Sequence, residues 1–323
     1  MESTERKGWA RVVDYCARPR LLIGASVFRI VAGLGILYQY LINYEQRRYL
    51  FGPDGVMPFT DFARQHGAGF SLYALSPSIP AFEVLFHLGI VIAIVWLVGW
   101  RTRLVTPLQY LFWWSLHRRF DSLWDGGDNV LQIVLVYSFC VDLSAHWSFD
   151  ALRRRGRARD PEWARLSAMA HNAGMLAFAL QICLVYGIAG LTKVQGETWR
   201  NGTALYYALR AGEFTWPGHS ELIFHNSFLL TFLAYATVAF QVSFPFLLFM
   251  NARTRTLAVL AGLTFHLGIA LFMGLVTFAT FLIAVDLSLI GDEEYRWLFG
   301  AVDRVRARLR AALERPRRAV PAG

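Results

Sequence analysis

Val185-Tyr186-Gly187-Ile188-Ala189-Gly190-Leu191-Thr192-Lys193-Val194-Gln195-Gly196-Glu197-Thr198-Trp199-Arg200-Asn201-Gly202 is an apolar run that ends on a single lysine, with a tryptophan six residues later. Upstream the apolar residues continue from about position 169, close to the ~20 residues that a helix needs to cross a bilayer. Two readings of Lys193 compete. One is a snorkelling cation at a membrane boundary, its stem in hydrocarbon and its head in water. The other is a partly buried amine, a type of group that moves readily toward its base form.

The rest of the chain has the same character. Of its 323 residues, 55% are hydrophobic and only 17% are charged. The apolar residues arrive in spans rather than in the short alternations of a soluble core. Eight spans are read, at about 21–41, 82–99, 104–116, 129–143, 169–191, 227–250, 256–275 and 276–290. The third and fourth are short, and Pro107 falls inside the third. The expected fold is therefore an all-α integral membrane protein: about eight transmembrane helices and an amphipathic basic C-terminal helix. The first twenty residues are polar and basic, so no cleavable leader is expected. The chain divides into a cytoplasmic segment 1–20, a transmembrane domain 21–290 and a basic tail 291–323.

Orientation follows from the basic residues. Segments 1–20, 100–103, 144–168, 251–255 and the tail after 291 hold 23 Lys and Arg, and the alternate segments hold 8. The positive-inside rule then places both termini in the cytoplasm of a multi-pass cell-membrane protein, with Lys193 on the outer side. The net charge of +9 lies in these loops and in a tail where Leu298, Val302, Val305, Leu309 and Leu313 recur at helical spacing among arginines. Membrane lipid is the partner that this pattern fits, and nucleic acid is not expected. Cys16, Cys140 and Cys183 fall outside the external loops, so no structural disulfide is expected.

Ionisable residues inside spans point to pairs or sites, because each is costly in hydrocarbon. Arg29 in the first span is expected to pair with Asp286 in the last, or otherwise with Asp142. His266 is either a hydrogen-bonded packing residue or a proton carrier. His87, near the outer end of the second span, shares a depth with Lys193. Between Trp113 and Asn129, Gly126-Gly127 reads as a tight turn, with Asp125, Asp128 and Asn129 as helix caps or, less simply, as calcium-binding oxygens. The tryptophans there suit an interfacial belt.

Ile188-Ala189-Gly190-Leu191-Thr192-Lys193…Trp199-Arg200-Asn201-Gly202 resembles the signature of the HTTM family, membrane proteins related to the animal vitamin K-dependent gamma-glutamyl carboxylase. Further pieces agree in order: Phe28-Arg29-Ile30, Gly52-Pro53-Asp54-Gly55-Val56-Met57-Pro58, Gly99-Trp100-Arg101-Thr102-Arg103, Arg118-Arg119…Asp125-Gly126-Gly127-Asp128, Asp142…Trp147-Ser148-Phe149-Asp150 and Phe265-His266. The resemblance covers roughly residues 20–290. It implies a lysine general base at Lys193 that deprotonates a quinol; His266, which lies in a matching piece, and His87, by its depth in the second span, are further catalytic candidates. It also implies a vitamin K hydroquinone or menaquinol-like quinol as cofactor, near Trp199, Tyr186 and Trp114, and no metal. The chain departs from the carboxylase in carrying Asp128 where that enzyme has a histidine, and Ile269 near the place of an asparagine. No counterpart of the carboxylase's large C-terminal lumenal domain is expected. Two functions are therefore expected in competition. One is a quinol-dependent enzyme that modifies a peptide or small substrate at the outer face. The other, which short members of the family resemble, is a non-catalytic accessory protein for maturation or export of a secreted antimicrobial peptide.

Overall fold

In the computed structural model, residues 13–65, 70–156 and 160–313 are described. The start of the expected N-terminal segment and the last ten residues of the tail lie outside them. Nine helices carry the architecture: α1 Leu22–Ile42, α2 Ile79–Val98, α3 Thr102–Arg119, α4 Gly126–Tyr137, α5 Pro161–Gln195, α6 Ser227–Met250, α7 Ala252–Met273, α8 Val276–Ser288 and α9 Asp292–Leu313. Short helical turns fill the connections, and no strand occurs among the described residues. The chain is an all-α membrane protein, as read from the sequence. Helices α1, α2, α5, α6 and α7 are long and apolar enough to cross a bilayer.

Helix starts are set by side-chain caps, which accept the N–H groups that a first turn leaves open. Asp160 accepts from Trp163 N at 2.9 Å and Asn226 from Leu229 N at 3.0 Å. Asn251 and Thr254 form a capping box at α7. The cap of α1 comes from far along the chain: the Asp292 carboxylate accepts from Ile23 N at 2.7 Å and Leu22 N at 3.2 Å. Helix α3 runs unbroken through Pro107, which sits close to its start. Helix α4 stops at Tyr137, short of the expected residue 143, so Asp142 lies in the following turn. At 12 residues it is about 18 Å long, well below the ~30 Å of hydrocarbon.

Helix α8, with 13 residues, is equally short and sits at the centre, packed against α1, α4 and α7. Ala279, Phe281, Leu282, Ala284, Val285, Asp286 and Ser288 are all buried. Close approach depends on Gly24 of α1, where a Cβ would lie 2.3 Å from the carbonyl oxygen of Ser288.

Arg29 is fully buried, and here the structure corrects the sequence reading. Its guanidinium donates to backbone carbonyls and not to Asp286 or Asp142. Nε reaches Leu143 O at 3.0 Å, Nη1 reaches Trp96 O at 3.3 Å and also Leu97 O, and Nη2 reaches Trp147 O at 2.8 Å and His146 O at 3.5 Å. The planar fork thus closes the end of α2 and the 143–147 turn together, satisfying carbonyls that no helix can satisfy there. Asp150 stands at the same end and accepts from Arg101 N at 3.0 Å and Thr102 N at 2.8 Å. Asp142 instead takes Arg154, whose Nη1 donates to both of its carboxylate oxygens at 2.8 and 2.9 Å.

Arg29→Gln should therefore lower stability by on the order of 3 kcal/mol, because several buried carbonyls lose a charged donor. Thermal unfolding in detergent measures this. The double exchange Arg29→Asp with Asp286→Arg should give no rescue, in contrast to the behaviour of an ion pair.

Candidate functional site

Lys193 occupies the last turn of α5. The buried face of this helix carries Ile182, Tyr186 and Gly190 at four-residue spacing, and Lys193, three residues farther on, stays on that face. Its Nζ donates to Ala189 O at 3.4 Å, a long bond within its own turn. It also lies 5.2 Å from the centre of the Trp199 ring, in cation–π range. Among the described residues no carboxylate pairs with it. Leu184, Ile188, Leu191 and Val194 form the exposed, lipid-side stripe of the same helix.

Two turns deeper, Tyr186 stands at the meeting of α5, α7 and α8. Its hydroxyl donates to Asp286 Oδ2 at 2.7 Å and lies 2.8 Å from His266 Nε2. All three side chains are buried. Phe240, Phe244, Phe265 and Phe278 enclose them with ring contacts. Gly262 makes the approach possible, since a Cβ there would lie 2.5 Å from Asp286 Oδ2. His266 Nδ1 and Asp286 Oδ1, at the two ends of this line, have no partner. A hydroxyl that bridges an imidazole and a carboxyl group can pass a proton between them, and the free ends are where further donors or acceptors attach. The sequence reading named all three residues but assigned Asp286 to Arg29. The sign of the true arrangement was the spacing of Tyr186, seven residues before Lys193 on one helical face.

A third group lies at the end of the bundle where α1 and α3 finish and α8 begins. There a cavity of about 240 Å³ is lined by Gln39, Asn43, His117 and Thr277 together with Phe51 and Phe120, among others. His117 Nδ1 lies 2.9 Å from Trp113 O, which can only accept, so this nitrogen carries the hydrogen. The opposite nitrogen faces Asp128 Oδ1 at 3.5 Å. Asp128 Oδ1 also accepts from Gln39 Nε2 at 3.0 Å. Asp125 and Asp128 cap α4 as a capping box, Asp125 accepting from Gly127 N at 2.7 Å and Asp128 N at 3.0 Å. Gln39, a polar residue within an apolar span, is the sequence signal for this group.

The remaining candidates are spread over the same end of the bundle. Trp114 donates to Phe70 O at 2.8 Å, stacks on Tyr110 and meets Trp124 edge-on. His87 joins neither Lys193 nor His266. Its Nε2 lies 3.0 Å from Tyr44 OH and its Nδ1 2.7 Å from Glu83 O, on a helix packed against α1 and α3. Arg119 donates to Gly52 O and Met57 O, both at 2.6 Å, and so holds the Gly52–Pro58 loop as Arg29 holds the opposite end.

Two outcomes follow from this geometry. Burial, and then the nearby Asp128 charge, push the Asp125 carboxyl up from 3.8 to about 6. The folded protein then binds more protons than the unfolded chain between these values, so this group's contribution falls as pH rises from about 4 to 6. Asp125→Asn, which still caps, should flatten that part of a pH series of unfolding midpoints. Tyr186→Phe leaves His266 Nε2 and Asp286 Oδ2 without their shared partner. Its expected cost is about 1–3 kcal/mol, measured by thermal unfolding, and Tyr186→Leu should cost more through lost ring packing.

The comparisons with known proteins agree on the family. The HTTM domain model matches residues 25–290, most of the chain. The sporulation-delaying protein SdpB of Bacillus subtilis (strain 168) is 22% identical over 193 residues, which is 58% of this chain. The match spans 57% of that relative's own length. No solved structure matches significantly. With the family model spanning α1 to the end of α8, and with the lysine, the two arginine clamps and the capped glycine turn all inside it, the chain belongs to the HTTM family.

Proposed function

We propose that this chain is an enzyme of the cell membrane, both termini cytoplasmic, that uses Lys193 as general base on a quinol-type cofactor to modify a peptide or small substrate at the outer face. One observation carries the reading: the Lys193 amine is half-buried, is held only by a long bond to Ala189 O and the face of Trp199, and has no carboxylate partner among the described residues. A lysine whose task is a structural ion pair is not placed this way. An amine free of a counter-ion can shed its proton and take one from a bound hydroxyl.

The surroundings suit a vitamin K hydroquinone or menaquinol-like ring. Trp199 offers a flat face beside the amine, and the exposed stripe Leu184, Ile188 and Leu191 offers an apolar approach from the bilayer. Such a group supplies an acidic phenolic hydroxyl and, with oxygen, the strong base that carbon–hydrogen bond cleavage demands. Lys193 accepts the proton at Nζ, Trp199 orients the ring, and Tyr186 with His266 and Asp286 keeps an exchangeable proton in a water-excluding aromatic cage.

The match to the sporulation-delaying protein SdpB is equally consistent with a second reading, the accessory, non-catalytic role in maturation or export of a secreted peptide expected from the family resemblance. Mass spectrometry of what copurifies with the protein separates the two. The enzyme reading expects a naphthoquinone, and the accessory reading expects a peptide without one. In proteoliposomes supplied with reduced quinone, Lys193→Met should lower turnover at least about 100-fold while leaving expression and folding intact. Lys193→Arg should be nearly as damaging, because a guanidinium keeps its proton. Full turnover in the arginine variant would remove the general base from the mechanism.

A further inference from the structure

The proposed chemistry leaves α9 unused. Its first turns are fastened to the bundle: Asp292 caps α1, Glu294 pairs with Arg255 at 3.2 Å, Tyr295 OH donates to Leu287 O at 2.8 Å, and Phe299 meets Trp147 edge-on. Beyond that anchor nothing in the bundle covers its apolar face among the described residues. Leu298, Val302 and Val305 lie on one stripe at i, i+4 and i+7 and are 46%, 39% and 54% exposed. In sequence, Leu309 continues the stripe. Arg304 and Arg306 flank it, and Arg308 and Arg310 follow in sequence; from Val302 onward the chain holds seven arginines against two acids.

What covers this stripe is indicated by depth and charge. Trp100, Trp147 and Trp163 are exposed at the same end of the bundle, and Trp297 is 70% exposed on α9 itself. A group of exposed tryptophans at one end of a membrane bundle marks the level of the lipid headgroups. The Phe299–Trp147 contact places α9 at that level. An apolar stripe bordered by arginines at headgroup depth matches a leaflet that carries negative charge.

We propose that α9 lies in the headgroup layer of the leaflet at this end and binds acidic phospholipid through Arg304 and Arg306, with Leu298, Val302 and Val305 set into the acyl boundary. The anchor at Asp292 makes the binding intramolecular in effect, so the helix needs only modest affinity per residue. The occupant is a lipid surface.

The test uses the full chain with Cys16, Cys140 and Cys183 replaced by serine and with Val305→Cys carrying an environment-sensitive fluorophore. Leu298→Cys is a second probe should the first fail to fold. The protein is reconstituted in vesicles of phosphatidylcholine alone or with about 25% phosphatidylglycerol, with and without quencher-bearing lipids. The expected result is blue-shifted emission and lipid quenching that grow with phosphatidylglycerol and decline as salt is raised. Arg304→Gln and Arg306→Gln should each lower the ratio of lipid-engaged to free helix about fivefold. Equal quenching in both lipids without a salt effect would overturn recognition of acidic headgroups. Solvent-like emission in both would overturn placement of the stripe in lipid, and the Lys193 reading would stand in either case.

Discussion

Two buried guanidinium groups hold the ends of this bundle together by serving backbone carbonyls. In hydrocarbon every peptide group needs a partner, and helices leave four carbonyls open at each C-terminus. Arg29 closes the end of α2 and the 143–147 turn. Arg119 closes the Gly52–Pro58 loop on the other side. An arginine suits this task because its five donors lie in one rigid plane and can reach carbonyls from separate segments at once. A lysine at either position would keep the charge and lose most of the bonds. The irregular backbone of the connections is thereby sheltered inside protein, as the bilayer demands.

With the ends tied, a helix too short to span alone can sit in the middle. Helix α8 has neighbours on most sides and carries Asp286 to the centre of the molecule. A carboxyl group there is costly unless bonded, and Tyr186 supplies the bond while also meeting His266. Small residues permit the crossing: Gly24 lets α1 pass against Ser288, and Gly262 lets the Asp286 side chain reach across α7. Packing and polar pairing are therefore one design. A larger side chain at Gly262 would displace the carboxylate that completes the buried polar line.

The three polar groups differ in what they can do. The capped turn at Asp125 and Asp128 is first a structural device that starts α4, and His117 and Gln39 join it at the edge of a cavity. The buried line of Tyr186, His266 and Asp286 is closed to water by phenylalanines. Of these three groups among the described residues, Lys193 is the one that combines a half-buried amine with an exposed apolar approach. This contrast, more than family membership, underlies the role proposed for the lysine.

Much of the architecture was legible in the residues because length and hydrophobicity alone decide whether a helix lies in a membrane. Each of the eight apolar stretches falls on one of α1–α8, five of them long and apolar enough to cross a bilayer, and the caps at Asp125 and Asp128 were readable from local spacing. The juxtaposition of Lys193 and Trp199 was likewise local, since one short turn joins them. Partners distant in the chain were not legible. Depth along a span says that Arg29 and Asp286 each need a partner, but it does not say which way their helices face. Rotation of α1 turned Arg29 toward carbonyls, which have no sequence signature, and rotation of α5 turned Tyr186 toward Asp286. The chain's residues determined that these buried polar groups had to be satisfied; only the packing of the helices against one another decided by what.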